Sequence, residues 1–225
     1  ARVDSRVDPG AHQLEDRVDL GHGTVQVVGR EREQRQSRDF QVQGGSHGAL
    51  DRDPELQIWT ALDDVPEMRG VLALFEGVAT GAADGYARIA ERPAAVLLHL
   101  GPGLGNGLAN LHNARKGFTP VVNIVGDHAT YHRPHDAPLT ADTEGLARTV
   151  SAWVRTATSA SSVGADAAAA IQAARSPPGG TATLILPADC AWNEGAEPGA
   201  ALAPPARAAV PAATIKEIVK ALRSG

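Results

Sequence analysis

The stretch Phe75-Glu76-Gly77-Val78-Ala79-Thr80-Gly81-Ala82-Ala83-Asp84-Gly85-Tyr86-Ala87-Arg88, with the apolar run Ala94 to Leu100 and the turn Gly101-Pro102-Gly103-Leu104-Gly105-Asn106 that follow it, decides the fold. An apolar strand, Gly70 to Phe75, gives way at a single carboxylate, Glu76, to a helix of small residues. A second strand then ends in a glycine-rich turn that opens a second helix. Both junctions fall at the carboxyl ends of strands, where open α/β sheets hold their ligands.

Outward from this stretch the pattern keeps alternating. Gly77 to Glu91 reads as a helix with Val78, Ala82, Tyr86 and Ile89 on one apolar face. Pro93 blocks its continuation. Ala94 to Leu100 has the unbroken apolar character of a strand buried on both faces of a parallel sheet. Leu104 to Lys116 makes the next helix, Pro120 to Gly126 a Val- and Ile-rich strand, and Asp127 to Thr140 a loop with three histidines. A helix over 144–150, an edge strand over 153–156, an alanine-rich helix over 164–175 and a strand over 181–186 complete the series. Strands alternating with helices predict an α/β fold, a doubly wound and mostly parallel sheet with helices on both faces.

Three segments differ in composition. Residues 1–55 are rich in Arg, Asp, Gln, His and Gly without hydrophobic periodicity, and read as a disordered or non-native arm. Residues 56–190 form the domain. Residues 191–225 contain an Ala-, Pro- and Gly-rich linker, then a short amphipathic helix that groups Ile215, Ile218, Val219 and Leu222. The sequence begins with Ala1 and its only methionine is Met68, so it is expected to be a fragment.

Bulk properties exclude several classes. The chain has 225 residues, 43% hydrophobic but only 4% aromatic, so its core must be built from Ala, Val, Leu and Ile. The net charge of −5 comes without a basic block, which argues against a nucleic-acid partner. The longest apolar runs are too short to span a bilayer, and the start does not read as a signal peptide. Cys190 is the only cysteine, so an internal disulfide is impossible and a cytoplasmic location is expected.

Four groups could carry chemistry. Glu76 alone is either a site carboxylate or a plain helix-start acid that favours the positive end of the dipole. Gly101, Pro102, Gly103 and Asn106 form a turn that could hold a ligand at a helix N-terminus, although neither the dinucleotide nor the P-loop spacing is met. His99 ends a buried strand, where a histidine is either a core residue or a proton carrier. His112, His128, His132 and His135, with Asp127 and Asp136, fit no standard zinc spacing, and no metal ligands are assigned.

Together these motifs resemble the pyrimidine-binding domain of thiamine diphosphate-dependent enzymes, nearest the acetolactate synthase large subunit and benzoylformate decarboxylase group. The resemblance covers about Leu56 to Pro187. It implies that Glu76 hydrogen-bonds the cofactor aminopyrimidine and favours the imino tautomer that removes the thiazolium proton, a task suited to a carboxyl in an apolar pocket. It implies that Gly101, Pro102, Gly103 and Asn106 hold the pyrimidine ring. It also makes His99, which stands where benzoylformate decarboxylase has an active-site histidine, a candidate proton shuttle. Leu139 stands where acetolactate synthases carry a glutamine, which leaves FAD doubtful. The implied substrate is a 2-oxoacid, decarboxylated or joined to a second molecule. The diphosphate and its magnesium would be held by a pyrophosphate-binding domain of the same or another chain, whose Gly-Asp-Gly motif is not found after Pro187. The completed protein is expected to be a homo-oligomer, and the chain alone inactive. The alternatives are a non-catalytic or stand-alone subunit that needs a partner chain and, more remotely, a nucleotide-binding module of the same sheet type.

Overall fold

In the computed structural model, the described residues are 25–28, 58, 61, 62, 65 and 68–224. Six strands form one sheet: β1 (Val25–Val28), β2 (Gly70–Ala73), β3 (Ala94–His99), β4 (Val121–Asp127), β5 (Trp153–Thr156) and β6 (Thr181–Pro187). Their spatial order is β2-β1-β3-β4-β6-β5, and every pairing is parallel. All carboxyl ends therefore emerge along one edge, and β5 is an edge strand as its sequence predicts.

Among the described residues the strands are connected or followed by the helices α1 (Glu76–Ala90), α2 (Leu100–Lys116), α3 (Thr143–Val150), α4 (Val163–Arg175), α5 (Ala188–Trp192) and α6 (Ala212–Arg223). Alternate residues of each buried strand serve opposite faces. On one face Val96, Leu98, Val121, Val125 and Ile185 pack with Ala79, Ala83, Leu104, Leu111 and Val150 from α1, α2 and α3. On the other, Val122, Ala182 and Leu184 meet α4, while Leu97 and Ile124 meet Ile58, Leu62 and Met68. The doubly wound reading holds, with every observed pairing parallel.

Two expectations are corrected. The first concerns residues 1–55. Val25–Val28 pair in register with both Gly70–Ala73 and Ala95–Leu97, so this run lies between β2 and β3 and the sheet does not start after residue 55. Val25-Gln26-Val27-Val28 is a β-branched run short enough to be hidden by its polar neighbours, which is why composition missed it. The rest of that segment lies outside the described residues. Removing residues 1–55 is expected to lower the melting temperature by on the order of 10 °C, from about 3 kcal/mol of lost ladder bonds. Calorimetry on the full and shortened chains would measure it, and equal melting points would show that β1 contributes nothing.

The second correction concerns α1. Its inward face is Ala79, Thr80, Ala83 and Ala87, whereas Val78 is 60% and Ile89 88% exposed. The reason is close helix approach. Thr80 Oγ1 donates to the Gly107 carbonyl oxygen of α2 at 3.3 Å, and a Cβ on Gly107 would come within 2.8 Å of Thr80 Cγ2. Asn110 Nδ2 donates to the Gly77 carbonyl oxygen at 2.6 Å. Only small side chains fit between helices this close, so Val78 and Ile89 face outward while Tyr86 packs at the margin of the core.

Candidate functional site

The sheet order reverses between β1 and β3, and Glu76 and His99 leave the sheet from the strands on either side of β1. That is the switch point at which open α/β sheets bind ligands. Glu76 is the first residue of α1, after the extended Phe75. Its Oε2 accepts a 3.1 Å hydrogen bond from Nδ2 of Asn106 on α2. Its Oε1 lies 3.4 Å from where a Cβ on Gly103 would stand, and that same point is 3.5 Å from His99 Cβ. Glu76, His99, Gly103 and Asn106, four residues singled out from the sequence, are thus brought together at one spot.

The surroundings are more open than an apolar pocket. Glu76 is half-buried, Leu74 is 89% exposed and Phe75 and Val78 are exposed beside it. Among the described residues, its neighbours leave this carboxyl only half-buried. His99, expected at the end of a buried strand, has an exposed side chain at the sheet edge.

The glycine-rich segment also differs from expectation. Gly101-Pro102-Gly103 is the first turn of α2 and not a separate turn, an arrangement proline tolerates because the amide it lacks has no partner there. The sharp change of direction falls on Leu100, at φ +55°. A non-glycine residue in this region costs roughly 1–3 kcal/mol, and the burial of the Leu100 side chain offsets it. Nothing in the residue type signals this conformation.

Gly101 serves packing. A Cβ there would overlap Cβ of Ala141, at the far end of the loop that follows β4. Gly101→Ala is expected to cost about 1–3 kcal/mol, lowering the melting point by several degrees. Gly105→Ala, at an exposed helical position with open space around it, is expected to leave it unchanged or raise it. Thermal melts would compare them, and equal shifts would refute the contact.

The loop 128–142 returns to α3 through Asp142, whose Oδ1 accepts from the Gly145 amide at 2.8 Å. Glu144 anchors the same helix. The Thr156 hydroxyl, bonded at 2.7 Å, and then Arg148 hold its carboxyl below the usual carboxylate range. Within the loop His128 stacks on His132 with ring centroids 5.5 Å apart, and His132 meets His135 edge-on at 6.0 Å. These are ring contacts and not a chelating set: among the described residues no three His, Cys, Asp or Glu side chains are grouped to hold a metal ion. Leu139 is exposed on this loop. Sequence reasoning missed Thr80 and Asn110. Asn110 stands one helical turn beyond Asn106, a spacing that could have revealed it.

Comparison with known proteins follows the same outline. Residues 49–146 match the profile of the family described as thiamine pyrophosphate enzyme, N-terminal TPP binding domain. The match begins ahead of Leu56. The chain is 62% identical over 171 residues to the IlvX protein of Mycobacterium tuberculosis, provisionally named an acetolactate synthase large subunit, covering 76% of this chain and 33% of that protein. It is 35% identical over 140 residues to a benzoylformate decarboxylase of Pseudomonas aeruginosa, covering 61% of this chain and 26% of that one. The fold matches the crystal structure of benzoylformate decarboxylase from Polynucleobacter necessarius with a TM-score of 0.69 at 22% identity, over 90% of this chain and 34% of that one. It matches a 4-hydroxybenzoylformate decarboxylase of Rhodococcus jostii with a TM-score of 0.65 at 23% identity, over 89% and 34%. At those identities the two structures show the fold alone. The chain spans about a quarter to a third of the length of these relatives. Among the described residues no helix is long and apolar enough to cross a membrane.

Proposed function

We propose that this chain, whose residues 49–146 match the N-terminal TPP-binding domain of thiamine pyrophosphate enzymes, is the pyrimidine-binding part of a 2-oxoacid decarboxylase or carboligase. The observation that carries this reading is the Glu76 carboxylate, held by Asn106 on one oxygen and set against the bare Cα of Gly103 with the other.

The residues present fit the pyrimidine end of thiamine diphosphate. Gly103 presents no side chain on the face where Glu76 would offer the ring a carboxyl oxygen. When bound, the cofactor supplies at its thiazolium ring an electron sink for carbon–carbon bond cleavage. Glu76 holds or shares the proton at the pyrimidine ring nitrogen. Asn106 holds Oε2 of the carboxyl and leaves Oε1, beside Gly103, as the oxygen that would meet the ring. His99, exposed at the end of β3 and beside Gly103, is placed to carry a proton to or from a 2-oxoacid. Diphosphate and magnesium would be held by a pyrophosphate-binding domain, of this or a second chain, that also covers Leu74, Phe75 and Val78. Covering them would supply the desolvation that Glu76 lacks here.

A second reading is a stand-alone pyrimidine-binding subunit that works only with a partner chain. The exposed apolar residues beside Glu76 support it equally. Both readings place the same cofactor end at the same residues. Titrating the chain with thiamine diphosphate while following amide resonances tests them together. Shifts confined to the ends of β2 and β3 and the first turns of α1 and α2 are expected, and their absence even at cofactor concentrations far above millimolar would overturn both.

A further inference from the structure

The loop 128–142 has anchors of two kinds. Local ones set its shape. Asp127 Oδ1 accepts from the His128 amide at 2.8 Å and Oδ2 pairs with Arg133 Nε at 3.4 Å, while the Ala129 carbonyl oxygen accepts from the amides of His132 at 2.8 Å and Arg133 at 3.2 Å. A distant one sets its place. Asp189, in the first turn of α5 beyond β6, accepts from the Thr130 amide at 2.9 Å through Oδ1 and from the Thr130 hydroxyl at 2.5 Å through Oδ2.

An acid in the first turn of a helix ordinarily serves that helix. Both oxygens of Asp189 instead reach a residue 59 positions away in sequence, just past the carboxyl end of the neighbouring strand β4. The loop so held starts two residues past Gly126, which lies opposite His99 in the sheet register, and it ends with Ala141 against Gly101. Its two ends therefore flank the start of α2, next to His99 and Gly103. Thr130 is also two residues from His128, whose buried Nε2 has no hydrogen-bond partner among the described residues. An orphaned buried nitrogen in a site loop calls for an explanation, and its location is governed by whatever fixes Thr130.

We propose that Asp189 is a positioning residue that clamps Thr130 and so places the histidine-bearing loop, with the stacked His128 and His132, beside the Glu76–His99 site. The proposal rests on the cofactor reading above for what the loop is placed against. The clamp itself is independent of it. Both hydrogen bonds are charge-assisted, and the pair fixes direction as well as distance.

Amide hydrogen exchange on the full chain tests this. Asp189→Ala is expected to speed exchange across residues 128–140 about tenfold, leaving β3, β4 and β6 as protected as before. Asp189→Asn keeps an oxygen for the Thr130 amide and should retain most of the protection. Unchanged exchange in the loop would overturn the clamp. So would a rise spread evenly over the sheet with a lowered melting point, the signature of a purely structural residue. If Asp189→Ala fails to fold, Thr130→Val removes only the hydroxyl arm. It is expected to speed loop exchange severalfold, and no change would again overturn the proposal. Repeating the wild-type measurement with thiamine diphosphate separates the two readings: protection near Glu76 follows the cofactor reading alone, whereas the variant effects follow the clamp alone.

Discussion

Replacing Glu76 by glutamine, in a chain completed by a pyrophosphate-binding domain, is expected to slow deuterium exchange at the thiazolium carbon by about 10²–10⁴-fold, the usual contribution of a general acid–base group. The fold should survive. Glutamine keeps a carbonyl oxygen, so the hydrogen bond from Asn106 Nδ2 can be retained and the first turns of α1 and α2 stay joined. The other end of the side chain changes in kind. Oε1, beside Gly103, becomes an amide nitrogen that donates but neither holds nor gives up the proton required at the pyrimidine ring. Binding therefore changes little while activation collapses, which separates this role from that of a helix-start acid. Exchange at near wild-type rates would remove Glu76 from the chemistry.

The same residues show how far the sequence could be read. Strand-to-helix alternation from Gly70 onward was legible because strands buried on both faces are continuously apolar and end at Gly, Pro or a polar residue. Ala94–His99, apolar up to its closing histidine, is the example. Glu76, His99, Gly103 and Asn106 could be placed together because each sits at, or within about two helical turns of, the carboxyl end of β2 or β3, and parallel strands bring those ends to one edge. The outward face of α1 was not legible. Periodicity assigns bulky apolar residues to the core, yet the approach of α2 at Gly107 reserves the inner face for Ala79, Thr80 and Ala83. Strand β1 was hidden because four residues are too few to shift the composition of a polar segment. The ties of Asn110 to Gly77 and of Asp189 to Thr130 join positions far apart in sequence, and only the folded topology brings them into contact.

The exposed apolar residues bear on the second large effect. A protein consisting of these 225 residues is expected to bind thiamine diphosphate with a Kd of about 1 mM or weaker, to show no decarboxylase activity, and to gain little affinity from magnesium. On the reading proposed above, the pyrimidine end would meet one carboxyl oxygen and little buried apolar surface. The diphosphate carries most of the charge, and its oxygens need a metal with oxygen ligands to replace their water. Among the described residues no group of acidic or histidine side chains can hold that metal. The first turn of α2 offers backbone amides but no basic side chain. Leu74 at 89%, Phe75 at 49% and Val78 at 60% exposed form an apolar rim around Glu76, and Ile89, farther along α1, is 88% exposed. Such a surface binds another protein surface more readily than a charged cofactor. Supplying a separate pyrophosphate-binding domain should therefore tighten cofactor binding by several orders of magnitude and bury Phe75 and Val78 in the same step. Titration calorimetry with and without magnesium, and with and without the second domain, measures both parts. Micromolar, magnesium-dependent binding by this chain alone would mean that a second half-site exists within it.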